Sequence, residues 1–281
     1  MAILYNKSKG FTLIELVTVI IILGALAISV TEFLRLGTQN YTNAADREAL
    51  TSTARFVIER LNRDVRHALP NSTRLTGNAN KRCLEFIPIA LNAVYLDIPV
   101  LPEIAKKTIT LAPFASGLLS NSSRVSVYAL NVDEAYGVNN GVIASFNSSA
   151  NNVLTPLYND KSEITNASVA VTLTLDNTLR FNADSPTKRL YFIEPPITYC
   201  LENEVLYRYS NYTRSALDNS PNEISNRVLM AEYIINSATE SPFKVIEASL
   251  QRNGLASVWF RFGRNLEEIV FSNEIQVPNV P

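Results

Sequence analysis

The chain has 281 residues, of which 47% are hydrophobic and 18% are charged. Its 25 Lys and Arg residues nearly balance 26 Asp and Glu residues, so the formal net charge is −1, which excludes a generally basic nucleic-acid-binding protein. With 9 Gly and 13 Pro, the composition also excludes collagen-like and low-complexity chains, and most of the sequence is expected to be globular.

The first predicted element is an apolar helix near the N-terminus. Residues 11–30 read FTLIELVTVIIILGALAISV, and Glu15 is the only ionisable side chain among them. A helix of this length is about 30 Å long, which matches the hydrocarbon core of a bilayer. Lys7 and Lys9 precede it without an acidic residue, so the positive-inside rule predicts a cytoplasmic N-terminus and an exported C-terminal body. We therefore predict a transmembrane half of the helix at 11–36.

Glu15 is unusual in such a segment. A carboxylate near the centre of a spanning helix costs about 2.5–3.5 kcal/mol on insertion scales, and less near the interface. Residues 11–31 contain no Lys, Arg or His that would neutralise it. A protonated amine released by proteolysis just before Phe11 would supply the missing positive charge, since the ordinary pKa of an α-amino group is about 7.7–8.0. Hydropathy alone leaves open the alternative of an uncleaved anchor that holds an exported domain.

The octet KGFTLIEL at 9–16 resembles the type III signal of type IV pilins and type II secretion pseudopilins. In that family a basic leader ends in Gly, a Phe follows, and a Glu stands four positions after the Phe. The resemblance implies that 1–10 is a leader peptide, and that prepilin peptidase cuts between Gly10 and Phe11 and methylates the new amino group of Phe11. It also implies that Glu15 recognises the N-terminus of a neighbouring subunit in the filament.

Further stretches are similar to minor pilins of the mannose-sensitive haemagglutinin (MSHA) pilus, and loosely to the PilW and J-type pseudopilin group. They are CLEFIPI at 83–89, TyrCys at 199–200 followed by LYR at 206–208, and VPNVP at 277–281. Major pilins usually carry a proline within this helix, whereas no proline precedes Pro70 here. The resemblance therefore implies a minor pilin that promotes filament assembly at or near the tip. The partners implied are prepilin peptidase, other minor and major pilins, the inner-membrane assembly platform and membrane lipid.

A second, amphipathic half of the helix is predicted at 37–69, where apolar residues recur with a period of about 3.6 and form one stripe. The stripe consists of Leu50, Ala54, Val57, Ile58, Leu61, Val65 and Ala68. Charged residues such as Glu59 and Asp64 lie mainly off this stripe, and Pro70 ends the helix. We expect this half to be the spine against which a globular, β-rich head at 70–281 folds.

Beyond the helix, short apolar segments alternate with turn-forming residues. Apolar segments lie at 84–90, 108–111 and 124–130, and strands are predicted at 169–175, 189–193, 204–209, 228–235, 241–250, 255–263 and 269–277. The dipeptide at 253–254, Asn-Gly, is the strongest hairpin signal, and the Asn/Ser-rich stretch 137–152 is expected to be a surface loop. The pattern predicts an α+β fold in which the long helix packs on an antiparallel sheet. Whether 70–185 forms a separate subdomain stays open.

The two cysteines, Cys83 and Cys200, both lie in the part of the chain that we expect to be exported. In an oxidising compartment, a disulfide is favoured over two free thiols or a metal site. Closing a loop of this length would stabilise the fold by about 4–5 kcal/mol if the stabilisation comes from chain entropy.

The sequence contains no motif that is typical of an enzyme or a cofactor site. His67 is the only histidine, which excludes a His-based metal cluster, and its place at the helix end favours an interaction with the C-terminal dipole. Glycine-rich nucleotide motifs, HExxH and GxSxG are absent. We predict no enzymatic activity and no cofactor. The aromatic residues Tyr233, Trp259 and Phe260 are expected to fill the core rather than to bind a glycan.

Three functions compete on these features. A minor pilin would lie in the inner membrane with its N-terminus inside and its head in the periplasm, and would enter the pilus on assembly. A J-type pseudopilin of a type II secretion system would build a shorter filament. A membrane-anchored periplasmic binding module would use the helix only as an anchor, and the type III signal argues against this function. The MSHA-like stretches favour the pilus.

Overall fold

The computed structural model describes residues 10–78, 80–112, 124–137, 141–146, 170–212, 227–248, 252–265 and 267–277. Residues 1–9 of the predicted leader, much of the predicted loop at 137–152 and the last four residues of the chain lie outside the described residues.

One long helix dominates the N-terminal part of the chain. It is α1, Leu13–Arg66, and its 54 residues give a length of about 80 Å. Thr12 caps its first turn, and Nδ1 of His67 lies 2.8 Å from the carbonyl oxygen of Arg63 at the other end. The predicted helix from 11 to about 68 is therefore confirmed to within two residues at each end.

Fourteen strands and one short helix follow α1 in the described part of the chain. In chain order they are β1 Arg74–Asn78, β2 Lys81–Phe86, β3 Ile89–Asp97, β4 Lys106–Leu111, β5 Arg124–Ser126, α2 Val132–Tyr136, β6 Ile143–Ser145, β7 Val171–Leu179, β8 Arg189–Ile193, β9 Ile197–Glu202, β10 Val205–Tyr209, β11 Arg227–Ala231, β12 Phe243–Ile246, β13 Gly254–Arg264 and β14 Glu267–Val277. They form a five-stranded sheet (β1-β2-β9-β10-β11), a three-stranded sheet (β12-β13-β14) and a six-stranded sheet (β6-β5-β8-β3-β4-β7). Neighbouring strands are antiparallel in all three sheets.

The five-stranded and three-stranded sheets together form the layer on which α1 packs. The segment 233–235, which follows β11, runs alongside β13 and forms backbone hydrogen bonds with 261–263. These bonds connect the five-stranded sheet to the three-stranded sheet. The helix buries Asp46, Leu50, Ala54, Val57, Leu61 and Val65. Phe243, Phe260, Phe262 and Phe271 lie opposite and contact one another edge to face. This arrangement confirms the predicted α+β fold, in which a long helix packs on antiparallel strands.

The six-stranded sheet is an insertion between β2 and β9, which are themselves neighbours in the five-stranded sheet. It encloses a core of its own, which includes Ile109, Val125, Leu173 and Phe192. The residues that directly follow α1 contact the start of the insertion, between β2 and β3. There Leu69 donates its N–H to the carbonyl oxygen of Ile87 at 2.7 Å, and Ile89 donates to that of His67 at 2.8 Å.

The structure differs from the strand prediction in several places. Strand β6 lies within 137–152, which was expected to be a surface loop, and its Ile143 and Ala144 are buried. The apolar segment at 84–90 is divided by Ile87 and Pro88 between β2 and β3. Strand β9 was not predicted because five of its six residues are buried, which removes the alternation that marks a half-buried strand. The hairpin predicted at 253–254 is present, because β12 and β13 pair antiparallel, but Gly254 is the first residue of β13 and pairs with Val277 instead of lying in the turn.

Candidate functional site

The N-terminal half of α1 extends beyond the head. Every residue from 10 to 42 is exposed, and the first buried residue of the helix is Asp46. Among the described residues, α1 is the one helix that is long and apolar enough to cross a membrane, as judged by length and composition. An apolar surface of this size requires either lipid or other apolar helices to cover it.

The polar side chains of this half bond within the helix. The hydroxyl groups of Thr18, Ser29 and Thr31 donate to carbonyl oxygens three or four residues earlier, at 3.0, 3.1 and 2.7 Å. A hydroxyl that is satisfied by its own helix costs little to place in hydrocarbon. The segment therefore presents lipid with few unsatisfied polar groups apart from Glu15.

Glu15 forms a capping box with Thr12 at the start of α1. The N–H and the hydroxyl of Thr12 donate to Oε2 of Glu15 at 3.3 and 3.2 Å, and the N–H of Glu15 donates to the Thr12 hydroxyl at 3.4 Å. The T-x-x-E spacing is a capping signature, so this contact could have been predicted from the sequence. The helix dipole also favours a carboxylate at this end. These contacts hold the carboxylate in place but bring no positive charge to it.

Gly10 and Phe11 precede the cap and are both exposed. Among the described residues, and apart from those adjacent in the chain, no atom lies within 4 Å of the place that a Cβ on Gly10 would occupy. The fold itself therefore gives no reason for a glycine at this position. A requirement for Gly10 would have to come from a partner that reads the extended segment, such as a peptidase.

Two acidic residues of α1 attach it to the head. Asp46 accepts a hydrogen bond from the Asn265 amide at 2.8 Å, and its other oxygen lies 3.3 Å from the Arg264 guanidinium. These contacts join the helix to the turn between β13 and β14, so the head begins at Asp46. The exposed surface of α1 up to residue 42 is consequently free to contact other molecules.

Asp64 is the second of these residues, and it lies deeper in the head. Its carboxylate accepts from the Tyr199 hydroxyl and from Nε of Arg208, both at 2.8 Å, and Nε of Arg60 lies 3.2 Å away. Only 9% of the Asp64 side chain is exposed, although the sequence pattern placed it off the apolar stripe. Burial raises the pKa of Tyr199, and the negative charge of Asp64 raises it further.

Cys83 and Cys200 are joined by a disulfide with an S–S distance of 2.07 Å. They face each other on β2 and β9, the two strands between which the six-stranded sheet is inserted. We call this pair of strands the neck. The disulfide therefore connects the two ends of the insertion.

The remaining predicted features have mixed outcomes. Of the three aromatic residues expected in the core, Phe260 is fully buried, whereas Tyr233 is 42% exposed and Trp259 faces away from α1. The expectation was therefore wrong for Tyr233 and Trp259. Among the described residues, no group of three His, Cys, Asp or Glu side chains lies close enough together to hold a metal ion.

The family described as the prokaryotic N-terminal methylation motif matches residues 5–31. This stretch contains Gly10, Phe11 and Glu15 and extends into the exposed half of α1. The match supports the pilin or pseudopilin family, a membrane-anchored structural subunit, processing by prepilin peptidase, and assembly with other pilins in general. Comparisons with curated proteins and with solved structures found no match.

Proposed function

We propose that this protein is a minor pilin of an MSHA-like type IV pilus, similar to the minor pilin MshO, and that it promotes filament assembly. One observation supports a filament subunit, and the choice of an MSHA-like pilus rests on the similar stretches at 83–89, 206–208 and 277–281. The N-terminal methylation motif at 5–31 leads directly into a helix that is exposed up to residue 42. A helix of this kind suits a subunit that moves from the bilayer into the apolar core of a filament, whereas a simple anchor needs only to span the bilayer.

In this proposal, prepilin peptidase removes 1–10 and methylates the amino group of Phe11. The new positive charge and the Glu15 carboxylate then lie at the same end of α1, one turn apart. Each subunit can therefore offer its carboxylate to a neighbour's amine, and this contact removes an unpaired charge from the apolar phase. Because Thr12 already orients the carboxylate, little further ordering of Glu15 is needed on assembly.

The proposed location follows from the same features. The protein inserts in the inner membrane with its N-terminus inside and its head in the periplasm, where the disulfide forms, and it later enters the pilus. Its partners are other minor and major pilins, the inner-membrane assembly platform and membrane lipid. A subunit at the extreme tip has no partner for the carboxylate, and this chain keeps Glu15. We therefore place it near the tip, beneath at least one other minor subunit.

A J-type pseudopilin of a type II secretion system would carry the same motif and the same helix, so a genetic experiment must separate the two functions. A strain that lacks the gene is complemented with the parent chain, with Glu15→Leu, or with Glu32→Leu as a matched control. Glu32 is an exposed acid on the same helix outside the motif, and its nearest cation is Arg35 at 3.8 Å. The readouts are pilus counts, secreted protein, and co-purification with other minor pilins.

We expect Glu15→Leu to insert in the membrane and yet fail to restore pili or co-purification, whereas Glu32→Leu restores both. Glu15→Asp should restore part of the function because it keeps the charge on a shorter side chain. Normal pili together with lost secretion in the deletion strain would favour the pseudopilin. Normal association and piliation by Glu15→Leu would contradict the proposed role of the carboxylate.

Processing gives a separate prediction. Intact-mass measurement of the protein extracted from membranes should show loss of residues 1–10 and one added methyl group on Phe11. Gly10→Val should block the cleavage, and it should leave the head folded because no atom of the described head occupies the space that the new side chain enters. Retention of the leader in cells with an active peptidase would contradict this prediction, as would normal cleavage of Gly10→Val.

A further inference from the structure

The three-stranded sheet has one face on α1 and one face turned away from it. On β13 the buried residues Val258, Phe260 and Phe262 face the helix, so the alternating residues Ser257, Trp259 and Arg261 lie on the opposite, outer face. This alternation explains why Trp259 lies outside the core. A large aromatic residue on an outer sheet face needs a reason other than core packing.

The strand register places polar side chains beside Trp259 on the same face. Lys244, Ser257 and Glu274 form one row across β12, β13 and β14. Since neighbouring strands are about 4.8 Å apart, the backbones of Lys244 and Glu274 are about 10 Å apart, with Ser257 between them. Trp259 and Ser272 form the next row. These residues line an open pocket with a volume of about 750 Å³, which we call the Trp259 site.

The polar side chains of the Trp259 site are available to form hydrogen bonds with a ligand. Within the described part of the chain, the side chains of Lys244, Ser257, Ser272 and Glu274 form no hydrogen bond or ion pair with the protein. Lys244 offers three donors, Glu274 offers acceptors, and each serine hydroxyl offers both. The four groups surround the concavity, and their charges cancel.

The aromatic wall of the site is held in place from one side. The Arg261 guanidinium lies 5.3 Å from the centre of the Trp259 ring and is itself bonded to Glu240 and, at 3.3 Å, to Glu268. Arg82 donates to the carbonyl oxygen of Glu240 at 2.8 Å, which anchors the segment that carries this acid. A ring that is positioned before a ligand arrives loses little entropy on binding.

We propose that the Trp259 site binds a neutral saccharide. A pyranose ring has an apolar C–H face, which packs on an indole, and a rim of hydroxyl groups, each of which donates and accepts hydrogen bonds. The opposed charges of Lys244 and Glu274 disfavour a polyanion or a phosphate, and four free polar groups disfavour a lipid chain. A sheet face offers no unpaired backbone groups, which disfavours an added peptide strand. This proposal is independent of the processing and assembly of the N-terminal helix.

Trp259 is the only tryptophan in the chain, so its fluorescence reports on this site alone. The test uses the full-length protein in lauryldimethylamine oxide, a detergent without a sugar headgroup, because alkyl glycosides would compete for the site. Maltose, cellobiose, lactose, mannobiose and chitobiose are titrated separately, and heparin and inositol hexaphosphate serve as anionic comparisons. We expect at least one neutral disaccharide to give a saturable change in emission.

Variants test whether the sugar binds at the Trp259 site. Binding to them is measured by ligand-observed saturation-transfer NMR, which does not need the tryptophan. Trp259→Ala should abolish the transfer, and Glu274→Gln should weaken binding about tenfold, because a neutral amide oxygen accepts a weaker hydrogen bond than a carboxylate does. Glu267→Gln removes the same charge from the same strand outside the site and should leave binding unchanged. Val270→Ala is a second control on the outer face of β14. The thermal midpoint of each variant shows whether it is folded.

Three results would overturn the proposal. The first is an emission that no neutral saccharide changes. The second is a response that Trp259→Ala leaves intact by NMR, or that Glu267→Gln weakens as much as Glu274→Gln. The third is saturable binding of an anionic comparison with higher affinity than any neutral sugar, because that would assign the site to a different class of ligand.

Discussion

At the scale of single residues, Asp64 is a charged residue of α1 whose hydrogen-bond partners lie inside the head. Its carboxylate bonds to side chains from two strands, Tyr199 on β9 and Arg208 on β10. Only 15% of the Arg208 side chain is exposed, so its charge depends on Asp64 for compensation. A buried pair of this kind adds little net stability, but the loss of one partner leaves the other charge uncompensated.

We therefore expect Asp64→Ala to lower the free energy of unfolding by about 3 kcal/mol, because Arg208 is left buried and unpaired. Glu59→Ala, which removes an exposed acid from the same helix, should change it by less than about 0.5 kcal/mol. The double variant Asp64→Leu/Arg208→Met should recover most of the loss, since neither charge remains. Denaturant unfolding provides the measurement. Equal effects of Asp64→Ala and Glu59→Ala would contradict this role.

The residues of the candidate sites differ in how far the sequence predicts them. Gly10, Phe11 and Glu15 belong to one contiguous motif, so their pattern is visible without a fold. Thr12 was visible as well, through the T-x-x-E spacing. Asp64 was not predictable, because its role depends on strands far away in sequence. The neighbours of Trp259 lie on the adjacent strands β12 and β14, but the sequence does not show which face of β13 packs on α1. The partners of Asp64 lie 135 and 144 positions away.

At the scale of elements, the two faces of α1 should respond differently to the same substitution. Leu61 is fully buried against the phenylalanine cluster of β12, β13 and β14, whereas Phe56 is 57% exposed. Leu61→Asp should cost about 4 kcal/mol, because it buries an unpaired carboxylate, and Phe56→Asp should cost less than about 1 kcal/mol. Ile58 was predicted on the stripe but is only partly buried, so Ile58→Asp should have an intermediate effect.

Thermal unfolding of the full-length protein in detergent measures these differences. Circular dichroism of the folded variants controls for a general loss of helix. The assignment of the buried face would be wrong if Leu61→Asp and Phe56→Asp shifted the thermal midpoint equally.

The disulfide gives a second prediction for the neck. Cys83 and Cys200 are 117 positions apart, and a cross-link that closes a loop of this length lowers the entropy of the unfolded chain. The double variant Cys83→Ser/Cys200→Ser should therefore lose about 4–5 kcal/mol. Because both sulfurs are buried, a reductant should reach them only after the neck opens. Rapid reduction of the folded protein without denaturant, or unchanged stability of the double variant, would contradict this expectation.

The sequence predicted strands best where one face is buried and the other is solvated. Strands β7 and β13 alternate in this way, and β13 was found to within one residue at each end, whereas β7 extends four residues beyond the predicted 169–175. Strand β1 was not predicted, because its residues, RLTGN, are mostly polar and it lies at the edge of its sheet. The order of strands was not predictable either, since nothing local shows that β2 and β9 pair across the insertion.

At the scale of the whole molecule, four tyrosines link stability to alkaline pH. Burial is the main cause that raises the pKa of Tyr95, Tyr199, Tyr209 and Tyr212. Each also lies near a carboxylate that raises the pKa further, and Tyr209 reaches about 12 beside Glu202. The pKa of each group is therefore higher in the folded chain than its ordinary value of about 10.

The sign of the effect follows from linkage. A group with a raised pKa in the folded state contributes stability below its unfolded pKa, and that contribution is lost as pH rises towards the folded pKa. We expect stability to fall above about pH 10, as the unfolded chain releases phenolic protons that the folded chain retains. Absorbance titration should show a late group of tyrosines that ionises together with unfolding. Titration of all 12 tyrosines near their ordinary pKa in the folded protein would contradict this prediction.

We expect the two parts of the chain that the neck separates to evolve under different constraints. The chain leaves the five-stranded sheet after Phe86, at the end of β2, and returns to it at Ile197, at the start of β9. The Cα atoms of Cys83 and Cys200 on these strands are only 4.1 Å apart. Residues can therefore be inserted or deleted between β2 and β9 without shifting the register of any strand that supports α1. We expect related genes to vary in length and to accumulate substitutions fastest between these two strands, while the layer that supports α1 changes slowly.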